Sequence, residues 1–304
     1  MSRFAREAGT GCARGATVQI VALAIVVPLF CILILLPLGL VTRLDLDLAW
    51  LIVPAGLFLL LLFGGGFGGF AWVLARRRKH LDAVCKPLGL SGSPYQMFFR
   101  QYHGAVAGRP VAVYFYRGPA VEVEVESSLG TRLAVTEGDA ETSFLARLFD
   151  REPLTLDDPA MDGLAVMGLD EGWARQLLAR PEVPALLRRL VTFPGSYTRR
   201  HVILRPGSLR LFLFGSGRLL DFNFDVTAEG LKGWLEDLLA LIEAAEALPQ
   251  PQVTDEESSA ERLARRMRER NPYLLPAITA GVMAVFLCLA VVIAVVAVML
   301  ASRG

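Results

Sequence analysis

The chain has 304 residues, 54% of them apolar, a mean hydropathy of +0.46 and a formal net charge of +1. A chain this apolar is not expected to be an ordinary soluble protein throughout. Residues 80–253 carry 17 Lys and Arg against 22 Asp and Glu, which argues against nucleic acid as a general partner.

In chain order, a tail over residues 1–17 with Arg3, Arg6 and Arg14 precedes 28 uncharged residues between Arg14 and Arg43. A second uncharged run of 28 lies between Asp47 and Arg76, and one of 32 between Arg270 and Arg303. About 20 apolar residues suffice to cross a bilayer as a helix, so the pattern predicts three transmembrane helices at about 18–41, 49–73 and 274–301. The first run is too long for a signal-peptide core, and no small-residue cleavage pattern follows Val41. The lipid bilayer is then the first partner, and the expected class is a multi-pass integral membrane protein of a bacterial inner membrane.

Cations set orientation. The topology-setting block is Arg76, Arg77, Arg78 and Lys79, joined by the amino-terminal arginines and by Arg262, Arg265, Arg266, Arg268 and Arg270 before the third run. The amino terminus and main domain are expected in the cytoplasm and the carboxyl terminus outside. Within the second run, Gly64 and Gly68, and Gly65 and Gly69, stand four apart, a spacing that lets helices approach closely. A merely flexible segment is the alternative, and a phosphate loop fails for want of a following Lys-Ser or Lys-Thr. Ala277 and Gly281 repeat the small-residue spacing in the third run, so packing is expected against the hairpin, another membrane protein or a second copy. No run contains an ionisable residue, which reads as an anchor and not a transporter.

Residues 76–253 read as an α+β domain with a mostly antiparallel sheet. The helix of the second run is expected to continue to about Lys86, stopped by Pro87. Strands are expected at 96–102 and 111–116, turned by Gly108-Arg109-Pro110, and at 121–126, whose valines face a core and whose glutamates face water. A helix follows at 143–149, a strand at 163–167, and helices at 170–178 and 183–192. A meander is expected at 199–205, 209–214 and 219–224, turned at Pro206-Gly207 and at 215–217. Thr227 caps a long helix with Leu231, Trp234, Leu235, Leu238 and Ile242 on one stripe. A linker at 248–252 leads to a capping box of Thr254 with Glu257, which opens a basic juxtamembrane helix over 254–272.

The run Leu156-Asp157-Asp158-Pro159-Ala160-Met161-Asp162, with Val166, Asp170, Ala174-Arg175, Leu177-Leu178, Val183 and Leu186-Leu187, resembles an uncharacterised family of bacterial membrane-anchored proteins. Members have an amino-terminal transmembrane hairpin before a cytoplasmic domain of unknown function. The resemblance covers about residues 110–247 and implies no catalytic residues.

Candidate chemistry is sparse. His80, His103 and His201 are not spaced as ligands or as a base with its orienting acid. Cys12, Cys31, Cys85 and Cys288 stand far apart, and the Asp157, Asp158 and Asp162 set reads as a turn, so no catalytic residue, metal or cofactor is expected. Seven arginines and no acid lie between Val183 and Leu220. A two-residue turn at Pro206-Gly207 would put His201, Arg205, Arg210 and Phe212 on one face, a candidate contact for anionic lipid headgroups together with Arg262 to Arg270. The alternative is that these arginines pair with the domain's own acids. The functional expectation is a membrane-anchored interaction or scaffold module and not an enzyme; the alternative is an accessory subunit of a transport or secretion complex docking through the glycine-rich helix.

Overall fold

The computed structural model describes residues 69, 72–95, 99–116, 120–156, 158–192, 197–215, 225–259, 261 and 262. The chain divides into two compact units, Met1–Ala5 with Arg76–Pro272, and Arg6–Ala75 with Tyr273–Gly304. Of the second unit only residues 69 and 72–75 are described, and the architecture below is that of the first.

The expectation of three transmembrane helices is corrected. Among the described residues no helix is long and apolar enough to cross a membrane. The ranges 18–41 and 274–301 lie outside the described residues, and of 49–73 only residues 69, 72 and 73 are described. The described helices are amphipathic instead: the longest, with 19 residues, carries Glu229, Lys232, Glu236, Asp237, Glu243 and Glu246. The integral-membrane class and the multi-pass inner-membrane location, which rested on those three helices, fall with them. The α+β class is what the structure supports.

Eight strands form one sheet: β1 (Ser91–Tyr95), β2 (Phe99–Val106), β3 (Arg109–Phe115), β4 (Ala120–Glu126), β5 (Leu133–Glu137), β6 (Leu164–Gly168), β7 (Tyr197–Arg205) and β8 (Ser208–Gly215). Their order is β1-β2-β3-β4-β8-β7-β5-β6, every pair antiparallel. The described helices are α1 (72–85), α2 (Asp139–Phe149), α3 (Glu171–Leu178), α4 (Val183–Thr192) and α5 (Ala228–Glu246). Thr227 caps α5 by accepting from Gly230 N–H, and Asp170 caps α3 through Trp173 N–H.

Alternation decides which face of the sheet is covered by what. Val111, Val113 and Phe115 of β3, Val121, Val123 and Val125 of β4, and Leu209, Leu211 and Leu213 of β8 pack with Leu81 of α1, Leu177 of α3, Leu187 of α4 and Leu238 of α5. On the other face Ala134, Met167 and Ile203 pack with Leu145 and Phe149 of α2. The β2–β3 turn is Ala107-Gly108, both at positive φ, the geometry of a tight hairpin, so Arg109 and Pro110 belong to β3 and not to the turn.

Two smaller expectations also change. Glu122 is buried and Glu124 half-buried, so of the β4 glutamates only Glu126 lies open to water. The last helical turn is opened not by Thr254 and Glu257 but by Ser258 and Glu261, which exchange bonds of 2.9 and 3.2 Å as a capping box. The expected third meander strand, 219–224, lies outside the described residues.

Candidate functional site

The Pro206-Gly207 turn fixes the β7–β8 register with Arg205 opposite Ser208, so Ile203 faces Arg210, His201 faces Phe212 and Arg199 faces Phe214. Since Ile203 packs under α2, these side chains share the face on which α2 lies. The candidate site is the strip of β7 and β8 that runs beside α2, which packs over β5, β6 and β7.

Glu141, one turn before Phe144 on α2, is its centre. Its carboxylate lies 3.3 Å from Arg199 Nε and 3.3 Å from His201 Nδ1, the latter off the hydrogen-bond direction. The His201 contact, with Arg199 beyond it, holds Glu141 below the ordinary carboxylate range against the opposing effect of burial. His201 stacks on Phe212, centroids 5.0 Å apart at 19°. Arg199 places its guanidinium 5.9 Å from the centroid of the Phe214 ring. Phe214 is 40% exposed, Phe144 39% and the Arg199 side chain 61%. Phe214 thus lies open beside an Arg–Glu–His network whose acid is buried, and Phe144 lies open one turn along α2 from that acid. This is the composition of a protein-binding hot spot, aromatic anchors with arginine.

Toward β4 the same face becomes a closed network. Arg210 donates to Glu122 at 3.2 Å and to Glu124 at 2.9 Å, and Tyr116 donates from its hydroxyl to Glu122. Tyr95, Phe99, Tyr114 and Tyr116 then pack ring on ring, with centroids 5.6 to 6.4 Å apart.

The expected lipid-contact set is thus divided. His201 and Arg210 do share a face, but Arg210 is spent on two carboxylates. Arg205, on the same face, lies 3.4 Å from Glu261. Arg262 is exposed, and Arg265, Arg266, Arg268 and Arg270 lie outside the described residues. In the basic block Arg76, Arg78 and Lys79 are exposed, whereas Arg77 is 1% exposed and donates to Phe115 O and Tyr116 O at 3.2 and 2.7 Å. Burial brings the Arg77 guanidinium down to about 10.

Gly64, Gly65, Gly68, Ala277 and Gly281 lie outside the described residues, and a Cβ at Gly69 would meet nothing within 4 Å. Asp158 accepts from Ala160 N–H at 2.8 Å as a turn cap, and Asp157 is outside the described residues. His80 Nε2 lies 3.0 Å from Val226 O, and the exposed His103 packs edge-on against Tyr114.

Sequence reasoning missed Glu141, Phe144, Arg199 and Phe214 as a group. Starting α2 at Ser143 left Glu141 outside the helix. The pairing of Arg199 with Phe214, however, follows from the same two-residue turn that aligned His201 with Phe212.

No protein-family model matches the chain, and no curated protein does. Among solved structures, the crystal structure of the mycobacterial trehalose monomycolate transport factor A, TtfA, is similar over 59% of this chain and 98% of that one, with 12% identity and a TM-score of 0.38. A likeness that distant supports no statement about this chain's role.

Proposed function

We propose that the protein works by binding another protein through the α2–β7–β8 strip, as an interaction or scaffold module. The observation that carries this reading is the pair of exposed rings, Phe214 beside Arg199 and Phe144 one turn along α2 from Glu141, in the neighbourhood of the Arg199–Glu141–His201 network. Each ring keeps about two fifths of its surface in water, so a partner that covered it would gain about 1 kcal/mol per ring. The cross-strand arrangement also fixes Phe214 in place before any partner arrives, which lowers the ordering cost of binding. In its finer form the reading makes the chain an accessory subunit of a transport or secretion complex.

The test is in-cell crosslinking of the tagged full-length chain, followed by mass spectrometry of what is joined to it. Companions captured by the native sequence and lost from a Phe144→Ser, Phe214→Ser double variant support a binding module. If the same companions are captured at the same yield from both, the strip is not the binding surface.

A further inference from the structure

In the helical layer on the opposite face of the sheet from the strip, an open cleft of about 540 Å³ lies between the single turn Pro159–Met161 and the corner that joins α3 to α4. Pockets for small ligands run from about 300 to 1,000 Å³. The cleft is shaped before any ligand arrives. Met161 is buried, Asp158 caps the turn by accepting from Ala160 N–H, and Arg188 of α4 donates to Ala160 O at 2.7 Å and to Asp162 O at 3.0 Å. Pro159, Leu178, Pro181 and Pro184 give it an apolar lining, and the three prolines have a backbone φ fixed by their rings. Among the described residues two acids and two arginines line the same cleft. Arg180 is turned to Glu182 at 3.6 Å and to Ala244 O at 3.3 Å. Asp158, Asp162 and Arg188 have no ion-pair partner among the described residues, although Arg132, Arg199 and Arg210 of the same domain each have one. Asp158 keeps Oδ2 open, the exposed Asp162 is bonded only through its backbone, and Arg188 keeps Nη1 open.

We propose that this cleft binds a small zwitterion with an aliphatic body, of the chemical class of an unblocked dipeptide. The ligand's ammonium meets Asp158 and Asp162, its carboxylate accepts from Arg188 Nη1, and its aliphatic side chains lie on Pro159, Leu178 and Pro184. Each of the three unpaired charges then gains a charge-assisted bond, and the rigid proline lining keeps the ordering cost low. Both signs are needed. An anion alone is repelled by the two aspartates and a cation alone by Arg180 and Arg188, and such like-charge contacts are what exclude wrong ligands. The site is separate from the protein-binding reading of the strip and stands or falls without it.

The probe is leucyl-leucine, titrated onto the full-length protein by isothermal calorimetry at low salt, beside its N-acetyl and C-amide forms, each of which lacks one charge. Leucyl-leucine is expected to bind with a Kd of about 1 mM or tighter, and each blocked form at least about tenfold more weakly. In the Asp158→Asn, Asp162→Asn double variant asparagine keeps the cap, so the fold should hold, the preference over the acetylated form should disappear and the preference over the amide should remain. In Arg188→Gln the reverse is expected, with the preference over the amide lost and that over the acetylated form kept. Because Arg188→Gln also loses ties to Ala160 and Asp162, the aspartate variant alone decides if the unfolding midpoint of Arg188→Gln falls. A leucyl-leucine Kd weaker than about 1 mM, equal binding of the three dipeptides, or a preference over the acetylated form that survives in the aspartate variant overturns the proposal.

Discussion

Arg132 grips Glu261 with two bonds of 2.9 Å, one from each terminal nitrogen, and turns its Nε to Asp255. The guanidinium is 2% exposed, and it ties Asp255 and Glu261 to the start of β5. Thr131 donates to Val253 O at 3.0 Å, Asp255 N–H donates to Gly130 O at 2.7 Å, and Asp170 accepts from Gln252 and Val253 N–H at 2.7 and 3.1 Å. Breaking a buried pair leaves the surviving charges without compensation, at about 3–5 kcal/mol. Arg132→Ala is therefore expected to lower urea-unfolding stability by about that much, and Arg132→Lys to recover only part, since an ammonium cannot span both oxygens of Glu261. A loss under about 1 kcal/mol would show that the segment contributes little to the fold.

Acid should reach the same contact. Burial pushes the Glu261 carboxyl up, but the Arg132 bonds, Ser258 N–H and the neighbouring cations outweigh it and bring it down to about 2. Glu246 also lies at about 2, chiefly through its bonds to Arg109, with Ser128 adding its N–H and hydroxyl. A carboxyl depressed in the folded state stabilises above its unfolded value, near 4.5, and that stabilisation is lost as pH falls toward 2. For Glu261 the full swing is about 3 kcal/mol at most. Unfolding midpoints measured from pH 7 to pH 3 should hold level and then drop below about pH 4.5. Glu261→Gln should be less stable at pH 7 and show a shallower drop.

Gly92 and Tyr102 are cross-strand partners packed so closely that a Cβ on Gly92 would collide with Tyr102 Cε1 and lie 2.9 Å from Tyr102 Cδ1. Tyr102 has no room to retreat. It is fully buried, and its hydroxyl donates to Asp82 at 2.7 Å beside Arg100, which bonds the same oxygen at 2.7 Å. Gly92→Ala should cost about 1–3 kcal/mol by overpacking. The cost should shrink when Tyr102→Leu is made first, a coupling that a double-mutant cycle of urea-unfolding energies reads directly. Equal costs in both backgrounds would assign the loss to the backbone of β1 instead.

This pair also shows where the sequence stops being legible. Ser91-Gly92-Ser93-Pro94-Tyr95 has a loop's composition, and it is a strand only because β2 pairs with it and Tyr102 needs a residue without a side chain at position 92. β5 is five residues long and was hidden for a similar reason, its strand identity coming from pairing on both sides with β6 and β7. By contrast β4, β7, β8, α4 and α5 carry full hydrophobic periods and could be read locally. The candidate strip lay between these cases. Its β7–β8 half followed from a two-residue turn, whereas Glu141 joined it through packing of α2 on the sheet, which no periodicity encodes.

Cys85 should be chemically silent in the folded protein. Burial pushes its thiol up to about 12, with the Asp82 charge adding to the effect, so almost no thiolate exists at neutral pH. Iodoacetamide treatment at about pH 8, near the ordinary thiol value, read by peptide mass mapping, should leave Cys85 unmodified in buffer and modify it fully in denaturant. Rapid native labelling would mean that the end of α1 opens away from the sheet.

The two phenylalanines that define the strip should be nearly dispensable for stability. Each keeps about two fifths of its surface in water, and neither belongs to the two buried clusters that hold the helices to the sheet. Phe144→Ser and Phe214→Ser are each expected to lower unfolding stability by only about 1 kcal/mol, the share that their partly buried rings contribute. The contrast is with the adjacent position on β8. Leu213 points to the opposite face of the sheet and is fully buried, so Leu213→Ala should cost about 2–5 kcal/mol in the same assay. A phenylalanine that is cheap to remove yet required for partner capture is held for recognition, whereas a loss of several kcal/mol from Phe214→Ser would place it in the packing and remove the ground for the binding strip.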